Sequence, residues 1–115
     1  MCTTNIMRIS EPSGYAPTLD KLIKMLCLDY QRRAGALEEG IVGRRVAMEY
    51  RYLNYRMIEA AGRIVGESDA LQYIKEIGDS VGYAKSEILI GSEPAYKRRK
   101  QAVKLGIARA LYLLD

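Results

Sequence analysis

The fold is decided by Arg44-Arg45-Val46-Ala47-Met48-Glu49-Tyr50-Arg51-Tyr52-Leu53-Asn54-Tyr55-Arg56-Met57-Ile58-Glu59-Ala60-Ala61-Gly62-Arg63-Ile64-Val65. Val46, Tyr50, Leu53, Met57, Ala61 and Ile64 recur every three or four residues. At 100° per residue they fall on one side of an α-helix, and they are expected to form its buried stripe. No proline interrupts the stretch, and Gly66 stands where a C′ glycine ends a helix.

Upstream, Gly35, Gly40 and Gly43 lie close together and predict a break or a loose turn. Before them Leu19, Leu22, Ile23, Leu26 and Tyr30 repeat the helical spacing. Thr18 is the expected N-cap, Asp20 suits the first turn, and the helix is expected to run to about Ala34. The two helices make an N-terminal hairpin. Residues 1–17 lack periodicity and carry Ser10, Pro12, Ser13, Gly14 and Pro17, which reads as a flexible arm. Residues 18–115 then form a single helical domain.

Downstream, Ser68 is the expected cap of a helix from Asp69 to about Val81, with Leu71, Ile74 and Ile77 inward and Gly82 at its end. Ala84 to Leu89 reads as a short helix, although Ile88-Leu89-Ile90 also suits an extended stretch. Ser92 then precedes Pro94, which falls in a first turn where a missing N–H costs nothing. The helix that follows, to Leu114, is expected to bury Tyr96, Val103, Ile107, Ala110 and Leu114. The expected fold is all-α, with four or five helices. Its N-terminal hairpin leads into a tri-helical C-terminal part in the order of a helix-turn-helix.

Composition narrows the function. The 115 residues include no histidine, which removes His-based acid/base catalysis, Ser–His and Cys–His nucleophile pairs and nearly all zinc chemistry. Glu38-Glu39 and Ser86 beside Lys85 are too slight for a catalytic constellation, so no enzyme, cofactor or metal site is expected. Cys2 and Cys27 form no CxxC pair. A disulfide between them is one option; a reduced cytoplasmic protein, with Cys27 in the core and Cys2 in the arm, is the preferred reading. No apolar leader or membrane-length run occurs. The net charge of +4 and a pI of about 9.1 permit an acidic partner without demanding one.

The charge is concentrated late in the chain. Lys97, Arg98, Arg99 and Lys100 are consecutive, Lys104 and Arg109 follow, and no acidic residue intervenes between Glu93 and Asp115. Helical geometry spreads these cations around the cylinder. Lys100 shares the stripe of Tyr96 and Val103, so its stem must run along the buried edge and its amine must snorkel. Lys97, Arg98, Lys104 and Gln101 make the expected exposed face, with Arg99 on its flank. Such a helix suits recognition of DNA, its N-terminus at Ser92 holding a phosphate and its basic face following the backbone. A plain solvated face is the alternative.

The stretch Ser92-Glu93-Pro94-Ala95-Tyr96-Lys97-Arg98-Arg99-Lys100-Gln101-Ala102-Val103 resembles the recognition helix of small phage regulators related to the autolysin-regulator (ArpU) group and to region 4 of sigma-70-type factors. In those, a capping Ser or Thr precedes an apolar anchor, then basic residues, then a second anchor; Tyr96 and Val103 take the anchor places here. The likeness covers the final 30 to 45 residues, and its preceding element is shorter than the family's second helix. More loosely, the whole chain looks like short proteins encoded by prophages of Gram-positive bacteria. The resemblance implies a DNA-binding regulator with Lys97, Arg98, Arg99 and Lys104 as its contacts, to which the capped helix N-terminus adds Ser92.

Arg51, Tyr52, Tyr55 and Arg56 interleave basic and aromatic residues. The plain reading puts Tyr50 in the core and Tyr52 and Tyr55 on a helix flank, with the arginines paired to Glu49 or Glu59. Tyrosine with arginine also anchors protein interfaces and stacks on single-stranded bases. Uncovered apolar surface on two long helices would favour a homodimer. The leading expectation is a small phage- or prophage-type DNA-binding regulator. The competing one is a helical protein-interaction module without DNA readout, such as a phage-encoded inhibitor of a host protein or defence complex.

Overall fold

Each of the long apolar stripes becomes a helix in the computed structural model, which describes residues 17–114. The elements are α1 (Pro17–Glu39), α2 (Arg44–Val65), α3 (Glu67–Gly78) and α4 (Glu93–Ala110), with one 3-10 turn at Tyr83–Lys85. No strand occurs among the described residues, so the expected all-α class and the four-helix count are observed. Residues 1–16 of the expected arm, including Cys2, lie outside the described residues, and Pro17 already belongs to α1.

α1 continues past Ala34 and carries Gly35 within it. A lone helical glycine costs about 1 kcal/mol against alanine, too little to break a helix that packs well. The stop comes at Gly40, whose φ of +68° turns the chain into the left-handed region. There the Ile41 amide donates to the Ala36 carbonyl and the Gly40 amide to that of Leu37, a Schellman closure. α3 and α4 end the same way. Val81 donates to Glu76 across Ser80, at φ +57°, and Leu113 donates to Ala108 across Tyr112, at φ +60°. One turn type therefore closes three helices, with a glycine at only one of them.

The buried face of α2 is rotated from the expected stripe. Ala47, Asn54, Met57, Ala60 and Ala61 are buried, whereas Val46 and Ile64 are exposed. α2 packs on α1, α3 and α4 together, and three neighbours at close range select its small residues. A similar shift exposes Leu71 on α3; Ile74 and Ile77 are buried as expected, joined by Ala70 and Tyr73. Ser68 is not the cap of α3: the helix starts at Glu67 from Gly66, with no side-chain cap. Ala110 is only half-buried, and α4 ends there rather than at Leu114.

The core joins Leu19, Ile23 and Cys27 of α1 to Met57, Tyr73, Ile77, Tyr96, Val103 and Ile107, with Ile88 and Leu114 closing it. Burial pushes the Cys27 thiol up to about 12, so it serves as a small apolar group. Arg33 of α1 is buried as well. It donates to Asn54 Oδ1 of α2 at 2.7 Å and to the Leu26 carbonyl at 2.9 Å, which satisfies polar groups that burial would otherwise penalise.

The connection from α3 to α4 spans residues 79–92 and contains one 3-10 turn. It replaces the short helix expected over Ala84 to Leu89 and is much longer than the turn of a helix-turn-helix. Glu76 explains its path. This buried carboxylate accepts from Ser86 Oγ at 2.7 Å, the Glu87 amide at 2.8 Å, Gln72 Nε2 at 2.8 Å and Tyr96 Oη at 2.7 Å. The Ile88 amide turns to Ser86 Oγ. These bonds hold the segment extended, burying Ile88 and leaving Leu89 fully exposed.

Candidate nucleic-acid interface

The helices divide the charge unequally. α2 holds five arginines (44, 45, 51, 56 and 63) against Glu49 and Glu59, and α4 holds six cations against Glu93 alone. Those two helices pack on each other and together carry a net +8. α1 is balanced, while α3 and the connection to α4 are net −3. Tertiary packing therefore gathers the positive charge onto one helix pair.

α4 starts as expected. Ser92 is extended, and its Oγ accepts from the Ala95 amide at 3.3 Å. Lys100 also behaves as expected. Its stem runs along the buried edge, and its amine donates to the Val81 carbonyl at 2.7 Å, 5.1 Å from the centre of the Tyr96 ring. Burial, and secondarily the nearby Lys104, lower its proton affinity.

Lys104 is a correction. Its side chain is only 14% exposed and is ion-paired with Asp20 of α1 at 3.1 Å. Positions 97, 100 and 104 follow one another at spacings of three and four, so they share the flank of α4 that faces α1 and the connection. Lys97, on that flank's open side, pairs with Glu93 at 2.9 Å. The structure thus separates Lys97 and Lys104 from Arg98. Arg99 is exposed and lies near the Tyr73 hydroxyl of α3.

The cations that do converge, half-buried Arg56 and exposed Arg63 and Arg109, lie along the groove between α2 and α4. Arg56, Glu59 and Arg63 from α2 and Arg109 from α4 wall a cavity of about 360 Å³, floored by Ala60, Ile64, Gly106 and Ala110. Gly106 lets the helices approach, since a Cβ there would stand 2.6 Å from Ile64 Cδ1. Arg98 and Arg109 are exposed and eleven residues apart, about three turns, so both belong to the outward side of α4. Arg45, Arg56 and Arg63 share the outward face of α2 with Tyr52 by the same periodicity. This juxtaposition was missed in the sequence; the seven-residue interval from Arg56 to Arg63 is the signal that points to it.

The Arg51–Arg56 stretch divides too. Tyr52 and Tyr55 are 59% and 57% exposed, and Arg51 is exposed beside them. Tyr55 Oη donates to Glu59, which also receives Arg63. Arg56 reaches across to α4, where its Nη2 donates to the Ala110 carbonyl at 2.7 Å. This places a cation at a helix C-terminus, where the dipole favours it. Its Cζ lies 5.9 Å from the ring centre of Tyr52 and 5.8 Å from that of Tyr112.

Among the described residues no cluster of three or more His, Cys, Asp or Glu side chains could hold a metal ion. No described helix is long and apolar enough to cross a membrane. Compared with family models, curated proteins and solved structures, the chain matches none.

Proposed function

We propose that this chain binds DNA through the face shared by α2 and α4, as a small cofactor-free regulator. The observation that carries the reading is the net +8 on two packed helices against a neutral or acidic remainder. A polyanion is the partner that such a surface attracts and orients. The contact set differs from a recognition helix acting alone. Arg98 and Arg109 on α4 join Arg63 on α2 as the principal phosphate contacts, and Arg99 lies beside them. Lys97 is partly engaged by Glu93, as Arg63 is by Glu59, but Arg63 lines the groove with Arg109; Lys104 serves the fold. Phage or prophage origin is a further part of the proposal and rests on the likeness of Ser92 to Val103 alone.

The test is binding to random duplex DNA across a salt series. The wild type is compared with Arg63→Ala/Arg98→Ala/Arg109→Ala and with Lys97→Ala/Lys104→Ala. The first variant is expected to lower the slope of log K against log salt by roughly 3, about one for each lost phosphate contact. The second is expected to lower it by less than about 1. Undetectable wild-type binding at about 50 mM salt, where such contacts are strong, would count against DNA. So would a slope that neither variant changes.

A protein-interaction module is the competing reading. It is favoured by the exposed Met48, Tyr52 and Tyr55 on one face of α2, residue types that anchor interfaces when arginines flank them. A salt-insensitive complex with a purified protein partner, lost in Tyr52→Ala and kept in the triple arginine variant, would support it.

A further inference from the structure

We propose that Tyr52, Arg56 and Tyr112 form a stacking platform for unpaired bases, so that the nucleic acid held on the α2–α4 face is single-stranded where it crosses the end of α4. The inference rests on the reading above and specifies the substrate class of that surface.

The platform is built from two helices. Tyr52 stands one turn before Arg56 on α2, and Tyr112 occupies the left-handed position that closes α4. Arg56 is fixed between them. Its Nη2 is bound to the Ala110 carbonyl, and its Nε is buried without a hydrogen-bond partner. That anchoring keeps the guanidinium near both rings, at 5.9 and 5.8 Å from their centres. Yet the rings are not core. Tyr52 is 59% exposed and Tyr112 is 73% exposed. Two aromatic surfaces are thus presented to solvent around a fixed cation.

The surroundings select the occupant. Arg45 and Arg51 on α2 and Arg109 on α4 are exposed. Of the two α2 carboxylates, Glu59 is engaged by Tyr55 and Arg63, and exposed Glu49, one turn before Tyr52, is outnumbered by these cations. An apolar protein partner gains little from so many cations, whereas a phosphodiester chain neutralises them. Within a duplex, base faces are covered by neighbouring bases and offer an aromatic ring nothing to stack on. An unpaired base has both faces free, and stacking on tyrosine tolerates any sequence. Rings beside a basic groove therefore fit a single strand, with phosphates along Arg63 and Arg109 and bases on the tyrosines.

The experiment measures binding of full-length protein to labelled oligothymidine of about fifteen nucleotides and to a duplex of equal length, by fluorescence anisotropy. The proteins are wild type, Tyr52→Ala, Tyr112→Ala and the two Tyr→Phe variants. The wild type is expected to prefer the single strand. Each Ala variant should weaken single-strand binding about 10-fold, the worth of one stacked base, with duplex affinity and salt slope unchanged. The Phe variants keep the ring and should keep the affinity, which separates stacking from misfolding. Tyrosine fluorescence of the tryptophan-free chain should be quenched by the single strand, and less so in Tyr52→Ala. Equal single-strand and duplex affinity, unaffected by the Ala variants, would overturn the platform and leave the charge-based reading standing. Absence of binding to either form at about 50 mM salt would remove both.

Discussion

Lys104 of α4 and Asp20 of α1 close an ion pair at 3.1 Å across 84 residues of sequence. Asp20 also meets Lys24 at 3.5 Å, so the first turn of α1 is tied to α4 by a shared carboxylate. A lysine that reads as a DNA contact thereby becomes a tie between the two ends of the fold. Lys104→Ala is expected to lower stability by about 1–2 kcal/mol, the range of a partly buried charge-assisted hydrogen bond, seen as a shift in the urea midpoint. Affinity for DNA, measured where the variant is fully folded, should barely move. A large binding defect in a fully stable Lys104→Ala protein would return Lys104 to the interface.

Glu76 is the polar hub of the C-terminal half. Burial opposes its charge, but the bonds from Gln72, Ser86, Tyr96 and the Glu87 amide outweigh that effect and hold the carboxyl below the usual carboxylate range. A depressed folded-state pKa means that its contribution is complete above the unfolded value. That contribution is lost as pH falls through the folded one. Acid should therefore loosen the 79–92 connection. Glu76→Gln puts an amide N–H against donors and is expected to cost about 3 kcal/mol. Its urea midpoint should also change less than the wild type's between neutral pH and pH 4. An equally steep acid limb in the variant would assign that limb to other carboxylates.

The α1–α3 crossing depends on a missing side chain. A Cβ on Gly78 would stand 2.6 Å from the Leu28 amide nitrogen and 2.9 Å from the Cys27 carbonyl carbon. Backbone cannot swing aside as a side-chain tip can, so Gly78→Ala must separate the helices and is expected to cost about 3 kcal/mol or more. Gly106→Ala clashes with Ile64 Cδ1 alone; the Ala60 carbonyl, at 3.8 Å, is at ordinary contact distance. Rotation of that side chain, with the better helix propensity of alanine, should keep its effect within about 1 kcal/mol. Thermal melts of the two variants give the comparison, and equal losses would contradict it.

Arg33 and Asn54 form a buried polar couple, with no carboxylate among the described residues at hydrogen-bonding distance. Replacing Arg33 alone by Met leaves Asn54 Oδ1 without its 2.7 Å donor and should cost about 2 kcal/mol. Arg33→Met combined with Asn54→Leu removes both polar groups and should recover most of that loss, as apolar replacements of buried ionic groups often do. A double-mutant cycle that shows no coupling would mean that the two side chains act independently.

How much of this could be read in the sequence depends on the range of the interaction. Helix type, the Ser92 cap and the path of Lys100 follow from spacings of four residues or fewer, and all three are observed. Positions fixed by distant partners were not legible. Nothing near Lys104 in the chain announces Asp20, and nothing near Ser86 announces that Glu76 will bond Ser86 and Glu87 and end the helical turn there. Periodicity places Val46 and Leu71 inward because it finds only an apolar face. Contact with three neighbours then rotates that face toward alanine. Gly35 looked like a break because glycine marks stops, but the α1 helix continues until Gly40 supplies the left-handed turn.

That turn appears three times, and the chain thereby contains its own control. Gly40, Ser80 and Tyr112 hold the same backbone shape at the ends of α1, α3 and α4, and only glycine holds it without steric cost, a difference of about 1 kcal/mol for other residues. Ser80→Gly should raise the melting temperature by a few degrees, since about 1 kcal/mol moves a domain of this size that far. Tyr112→Gly relieves the same strain but discards a ring that the fold leaves in water. If the ring serves the strand, stability and affinity will move in opposite directions at residue 112 and not at residue 80. The tyrosine would then be a handicap that the fold carries for its ligand.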